Sequence, residues 1–431
     1  MATMRKPRPL IIVAAFIAFG LVVCLTVAAV FSFLARRPGL TAFDDSDLIP
    51  RRMEIPVVSN AFWTLMKATN VLYWPAPLSR KLDDLSDNTN WDDSLAADVL
   101  EKNHALLDSF DAAMQQPCLL VPETKALGED YLYLGDWRTI SRVESIRVFA
   151  LLRAKNEKDA FGSALKIIRF GHRIENSGGT VIHYLVGSSI KIHGLWLIRQ
   201  MTAQTSLKET NLVEFIRELD NFRSNKEGLT NALKIEYQLD RKYIGDFAAG
   251  KIASTNSDEQ AVASIGLTPL FSAVKTQRRL AQADRVFRDN ISNPFGQMDW
   301  SDLPLVETNA SVWKRLIKGN AMGDMIFDLL EPSLKGFCAK RCREDVNVTA
   351  TQLLLALKIY KEQHGKLPES LSELVPEFFP QVPIDDFDGK PFRYLPDRKL
   401  IYSVGPDLKD SGGEDFRKNS GNDDLPFKIE F

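Results

Sequence analysis

Thr180 to Ile198 reads TVIHYLVGSSIKIHGLWLI. It carries one formally charged residue, Lys191, and its length and composition would pass for a membrane span. A span here would cut the chain into two soluble halves. A buried helix here would instead join both sides into one helical domain. Gly187, Ser188, Ser189, Lys191, His193 and Gly194 lie at its middle, where charge in a bilayer is costly. The stretch therefore reads as the central helix of a bundle. His183 and His193 raise the question of a metal site. Ten positions along a helix place them roughly 15 Å apart and on different faces. One helix cannot bring both to a single ion, so they read as ordinary polar side chains.

The flanks repeat the helical pattern over most of the chain on either side. Upstream, Ile140 to Lys155 is periodic, Asn156 to Asp159 is a turn, and Asp159 is placed to cap the next helix. That helix carries Phe161, Ala164, Leu165 and Ile168 at i, i+3, i+4 and i+7, and stops at Ser177-Gly178-Gly179. Trp91 to Gln116 reads as one helix, capped by Asp92 or Asp93 and stopped by Pro117. Downstream, helices are expected near 208–224, 228–248, 257–290 and 311–330. Paired antiparallel helices with short turns build bundles and helical repeats. The spacing resembles a tetratricopeptide hairpin, but no fixed period recurs, so an ordinary bundle is expected. The aromatic-rich segment Asn293 to Pro304 reads as a packing loop.

The 431 residues are 45% hydrophobic and 26% charged, with net charge −2. This is the balance of a globular protein and gives no footprint for nucleic acid. Four cysteines and five histidines exclude a disulfide-built scaffold or a large metal cluster. Cys338 and Cys342 in CAKRC, with Cys118, allow at most one structural disulfide or an incidental pair.

Leu10 to Ala35, LIIVAAFIAFGLVVCLTVAAVFSFLA, contains no charge over 26 positions, enough to cross a bilayer core of about 30 Å. Val27-Ala28-Ala29 would suit a signal-peptidase site. The run is nevertheless much longer than the roughly 7–15 residues of a signal core, which favours an uncleaved anchor. The expected order is a short tail (1–9), a transmembrane anchor (10–35), a linker (36–56), a helical domain (57–345) and a C-terminal α+β module (346–431). The short basic tail favours a signal-anchor, with the bulk of the chain outside the cytoplasm.

The C-terminal module opens with an amphipathic helix from Thr349 to His364, closed by Gly365. A short helix follows at Leu367 to Leu374, then turn chemistry from Pro383 to Pro391. Phe392–Leu395 and Leu400–Val404 read as a hairpin, and Pro426 to Phe431 as a last strand. Between them lies a glycine-rich acidic loop.

ALKIYKEQHGKLPESLSELV, PIDDFDGKPFRY and IYSVGPD, in that order, resemble the globular domain of the major pseudopilin of type II secretion systems, over residues 349–427. The module is also similar to C-terminal modules of large membrane-anchored envelope proteins of bacteria, which implies a single-pass anchor in a bacterial inner membrane. The resemblance implies a helix packed on a small antiparallel sheet, with a calcium-binding loop. Asp407, the pair Asp423 and Asp424, and the Val404 carbonyl match that family's ligand positions. Three features depart from it. No prepilin peptidase site precedes Leu10, the long helical region separates the apolar run from the module, and Leu408 stands where the family often has glycine. Polymerisation into a fibre is therefore not implied.

The loop's own chemistry points the same way. Asp407, Asp410, Glu414, Asp415, Asp423 and Asp424 crowd one short segment, interspersed with Gly405, Gly412, Gly413 and Gly421. Calcium takes six to eight oxygens from carboxylates and carbonyls, and Asp410 joins the candidate ligands on this ground. Asp410-Ser-Gly-Gly413 also matches the tetrapeptide around a trypsin-like serine. Yet Lys409 and Glu414 replace the flanking Gly and Pro, and the upstream chain reads as helical, so Ser411 is not expected to be a nucleophile. The expected function is a non-enzymatic, membrane-anchored binding or scaffold protein with protein partners near a secretion or pilus-like machine. The alternative is an envelope enzyme whose site forms only in three dimensions within the helical domain.

Overall fold

The structure, a computed structural model, describes residues 43–52, 54–126, 128–249, 251, 271–304, 320–414 and 424–431. The apolar run at 10–35 lies outside them. The described chain is mainly helical, with one small antiparallel sheet near the C-terminus. The helices are α1 (Ala61–Thr69), α2 (Ser79–Ser86), α3 (Asp93–Lys102), α4 (His104–Gln115), α5 (Leu132–Arg153), α6 (Glu157–Glu175), α7 (Val181–Thr202), α8 (Glu209–Asp220), α9 (Lys226–Ala248), α10 (Ala273–Asn290) and α11 (Ala321–His364). Strands β1 (Arg393–Leu395), β2 (Leu400–Ser403) and β3 (Leu425–Lys428) pair in sequence order, with Tyr394 opposite Ile401 and Ile401 opposite Phe427.

The chain forms two compact units. The larger comprises Leu48–Leu239, Asp284–Leu303 and Pro332–Phe431. The smaller includes Asp240–Ala283 and Pro304–Glu331. Within the smaller, Arg279 donates to Asp324 at 2.7 Å and to the Pro304 carbonyl, and lies over the Phe327 ring. Ser272 N donates to Asn320 Oδ1 at 2.7 Å.

In the larger unit, α6 and α7 form the most extensive helix pair. They run antiparallel, and glycines set their closeness. A Cβ on Gly187 would stand 2.6 Å from the Gly171 carbonyl oxygen, and one on Gly171 would stand 2.4 Å from the Gly187 carbonyl oxygen. Further along α7, a Cβ on Gly194 would meet Ile168 at 2.6 Å. Gly187, Lys191 and Gly194, which argue against a membrane span, thus lie on the contact surface of a core helix. Helix α7 is the one described helix long and apolar enough to cross a membrane, and most of it is buried against protein. Aromatic rings close the other side of α6: Phe170 packs on Phe110 at 5.2 Å and on Trp137 at 5.7 Å.

Several elements differ from expectation for local reasons. The helix expected over Trp91–Gln116 is two helices that break at Asn103. Asp92 caps the first, accepting from Leu95 N at 3.0 Å. The Asn103 side chain, fully buried, accepts from Tyr73 N at 2.9 Å and donates to the Tyr73 and Val99 carbonyls. Asn156 rather than Asp159 stands at the cap of α6, and Asp159 accepts from the Asn156 amide at 2.6 Å. The boundary expected at 345/346 falls inside α11, which runs unbroken from Ala321 to His364. The C-terminal module and the helices of Leu48–Leu239 belong to one unit. Cys118, Cys338 and Cys342 are free thiols. Burial pushes Cys338 up to about 11 and Cys342 up to about 12, so neither ionises readily.

The glycine contact is testable. Gly187→Ala forces backbone and side-chain shifts that cost about 1–3 kcal/mol, more than the alanine's helix propensity returns. Gly162 on α6 faces open space, so Gly162→Ala gains up to about 1 kcal/mol from propensity alone. Thermal melting should therefore fall for the first variant and hold or rise for the second.

Candidate functional site

The acidic loop is anchored at its start by a buried carboxylate from the preceding turn. Asp385 has no exposed surface. It accepts from Phe387 N at 3.0 Å, Ser403 Oγ at 2.8 Å and Val404 N at 2.9 Å. Arg393 on β1 binds Asp388 through both oxygens, reaches Asp385 at 3.3 Å and stands 3.5 Å from Asp410. The turn Pro383–Pro391 and the strand end at Val404 are therefore one hydrogen-bonded assembly.

Beyond it the backbone takes left-handed conformations at Gly405, Leu408, Gly412 and Gly413. Leu408, the position where glycine is common in the resembled family, adopts φ +59° and covers Gly296 with its side chain. Gly413 admits no side chain, since a Cβ would stand 2.5 Å from Leu400 Cδ2. Its amide and that of Ser411 donate to Asp424 Oδ2, at 2.7 and 3.1 Å.

The candidate ligands separate by what they already bind. Asp410 is engaged: Oδ1 accepts from Tyr402 OH at 2.9 Å and Gly412 N at 3.1 Å, and Oδ2 faces Arg393. Asp407 uses Oδ1 on Lys409 N at 3.1 Å, while its Oδ2 is enclosed with no hydrogen-bond donor. Asp424 is 1% exposed, and its Oδ1 is likewise enclosed without a donor. Burial, then the charges of Asp410 and Asp407, raise the Asp424 carboxyl above the usual range. Val404 is placed by Asp385, and Asp423 lies outside the described residues. Two uncompensated carboxylate oxygens among like charges suit a hard cation. No group of three or more His, Cys, Asp or Glu arranged to hold a metal occurs among the described residues. The fit rests on Asp407 and Asp424.

A second polar assembly lies in the helical core, and sequence reasoning did not assemble it. Lys191 on α7, Glu175 on α6 and Glu344 on α11 have no exposed side-chain surface. Lys191 Nζ donates to Glu175 Oε2 at 2.7 Å and contacts Glu344 Oε1. Tyr184 OH donates to Glu344 Oε2 at 3.2 Å. Next to Glu344 on α11, Asp345 accepts from Ser224 N and Oγ at 2.7 and 2.6 Å. Arg341 reaches Asp345 at 3.1 Å, Asp386 at 3.5 Å and the Asn293 carbonyl at 2.6 Å. The α11 register therefore ties the core lysine to the Asp385–Asp386 turn. The only sequence signal was Lys191 itself, an isolated charge in an apolar helix. Its partners sit on two other helices, one before it in the chain and one far beyond it.

The histidines of α7 are used locally. His183 Nδ1 accepts from Thr180 N at 3.1 Å, so Nε2 carries the proton toward Tyr133 OH at 2.6 Å. His193 Nε2 sits 2.6 Å from Ser145 Oγ. Burial pushes both imidazoles down to about 4, so they are neutral in ordinary buffers. Each braces α7 against α5.

Comparison of the chain with protein families, with curated proteins and with solved structures finds no match.

The core cluster has a pH signature. Burial, and for Glu344 the charge of Glu175, push both carboxyls up to about 7 against the pull of Lys191. The folded chain thus holds protons that the unfolded chain releases near 4.5. Stability from these groups is greatest at low pH and declines as pH rises from about 4.5 to 7. Glu344→Gln removes one of these titrations. The stability of the native chain relative to this variant should fall by on the order of 1–3 kcal/mol between pH 5 and 8. Denaturant unfolding at several pH values measures the difference.

Proposed function

We propose that this chain is a membrane-anchored, extracytoplasmic binding or scaffold protein whose C-terminal α+β module is held in shape by calcium at the acidic loop. The observation that carries the reading is the pair of enclosed, donor-free oxygens, Asp407 Oδ2 and Asp424 Oδ1, in a loop whose backbone turns through Gly412 and Gly413. Asp423 and the Val404 carbonyl would complete the oxygen set. Calcium supplies a fixed charge that cancels the repulsion among these carboxylates. The anchor reading rests on the uncharged run from Leu10 to Ala35, and the extracytoplasmic placement is consistent with a weak site filled by millimolar calcium.

The rest of the described chain suits a scaffold. Its buried polar groups are spent on holding helices together: Lys191 on two carboxylates, His183 on Tyr133, His193 on Ser145. Within the larger unit, helices tied in this way present fixed surfaces to partners. The resemblance of residues 349–427 to a pseudopilin domain supports partners belonging to a secretion or pilus-like assembly.

The test is thermal melting of the detergent-solubilised full chain with excess calcium or with chelator. Calcium at about a hundred times its dissociation constant adds roughly 2.7 kcal/mol, so the melting temperature should rise measurably. Asp424→Asn should abolish that rise. A melting temperature indifferent to calcium would contradict the proposal.

A further inference from the structure

A cavity of about 310 Å³ lies between the last turns of α7, the α11 residue Leu354 and the chain from Pro426 to Phe431. Its volume falls at the lower end of the range of small-molecule sites, about 300–1,000 Å³. Trp196, Leu354, Phe427 and Phe431 supply apolar walls, and Arg199 and Lys428 supply positive charge.

Arg199 is the unusual member. Its Nη1 donates to Thr351 Oγ1 at 2.8 Å, and its guanidinium lies 5.2 Å from the centre of the Phe427 ring. The Thr351 hydroxyl spends its own proton on the Asn347 carbonyl at 2.7 Å, so it serves Arg199 as an acceptor. Among the described residues no carboxylate stands within ion-pair distance of Arg199, although Glu430 lines the same cavity. Three other enclosed cations of this unit are compensated, whereas Arg173, also half-buried, donates to the Ala113 carbonyl. Lys191 has Glu175 and Glu344, Arg341 has Asp345 and Asp386, and Arg147 has Asp111 and Glu144. Burial alone pushes the Arg199 guanidinium down, to about 9. Arg199 is half-buried; a partly desolvated charge without a counter-charge is costly, and a guanidinium fork matches a carboxylate through two parallel hydrogen bonds.

We propose that this cavity binds a small organic carboxylate with a flat apolar body. Arg199 takes the carboxylate, Lys428 adds long-range attraction at the rim, and the body lies against Trp196 and Phe427. Thr351 holds the guanidinium in place for the ligand. The site is separate from the acidic loop and would operate whether or not that loop holds calcium.

Fluorine NMR of 4-fluorophenylacetate added to the detergent-solubilised full chain tests this. Saturable binding is expected, and the neutral 4-fluorophenylacetamide should bind at least tenfold more weakly. This comparison requires no variant. Arg199→Gln should weaken the carboxylate at least tenfold without lowering the melting temperature, because it removes an uncompensated charge. Arg199→Lys, which keeps the charge but loses the fork, should fall between. Absence of saturable binding, equal affinity for acid and amide, or full affinity in Arg199→Gln would each overturn the proposal.

Discussion

An ammonium group sealed from water joins three helices of this protein. Lys191 on α7 meets Glu175 on α6 and Glu344 on α11, all without exposed side-chain surface. Taking three charges out of water costs several kcal/mol per ion, and only close, mutual pairing offsets it. The arrangement is therefore demanding rather than simply stabilising. It tolerates one relative placement of the three helices, because a shift of one residue along any of them would strand a buried charge. The glycine contacts between α6 and α7 make that placement reachable. Gly171 and Gly187 let the backbones approach until Glu175 and Lys191 face each other across the seam.

From this centre the constraint passes to the C-terminal module. Arg341 and Asp345 lie on α11 one turn or less from Glu344, and Arg341 holds Asp386. The neighbouring Asp385 places Val404 and Ser403, where the acidic loop begins. A core ion pair is thus linked to the base of a surface loop through the α11 backbone, the Arg341–Asp386 ion pair and the hydrogen bonds of Asp385. This gives a physical reason for one continuous helix where the sequence pattern suggested two domains. The module has its own sheet, yet its first helix is also a wall of the helical core.

Much of this was legible in the sequence. The antiparallel helices around Asn156, the Asp92 cap, the closing Gly365 and the β1–β2 hairpin follow from local rules that depend on nearby residues. The order of the C-terminal elements followed in the same way, with β3 returning beside β2. What was not legible depended on distant partners. Asn103 breaks a helix because it binds Tyr73, which no periodicity reveals. Lys191 looked like an isolated charge because its partners lie on other helices. Of the acidic loop, composition indicated the charge, but only the fold distinguishes Asp410, spent on Tyr402, Gly412 and Arg393, from Asp407 and Asp424, which each retain an unpartnered oxygen. Arg199 gave no sequence signal, since its character lies in having no acid at ion-pair distance among the described residues.

The claim that the buried pairing of Lys191 fixes the bundle is tested most directly by equilibrium unfolding of two variants. Above pH 7, Lys191→Met leaves two buried carboxylates without a counter-charge and should cost about 3–5 kcal/mol. Adding Glu175→Leu and Glu344→Met replaces the whole cluster with apolar side chains of similar size and should recover most of that loss. A single variant as stable as the native chain, or a triple variant no better than the single, would contradict the account.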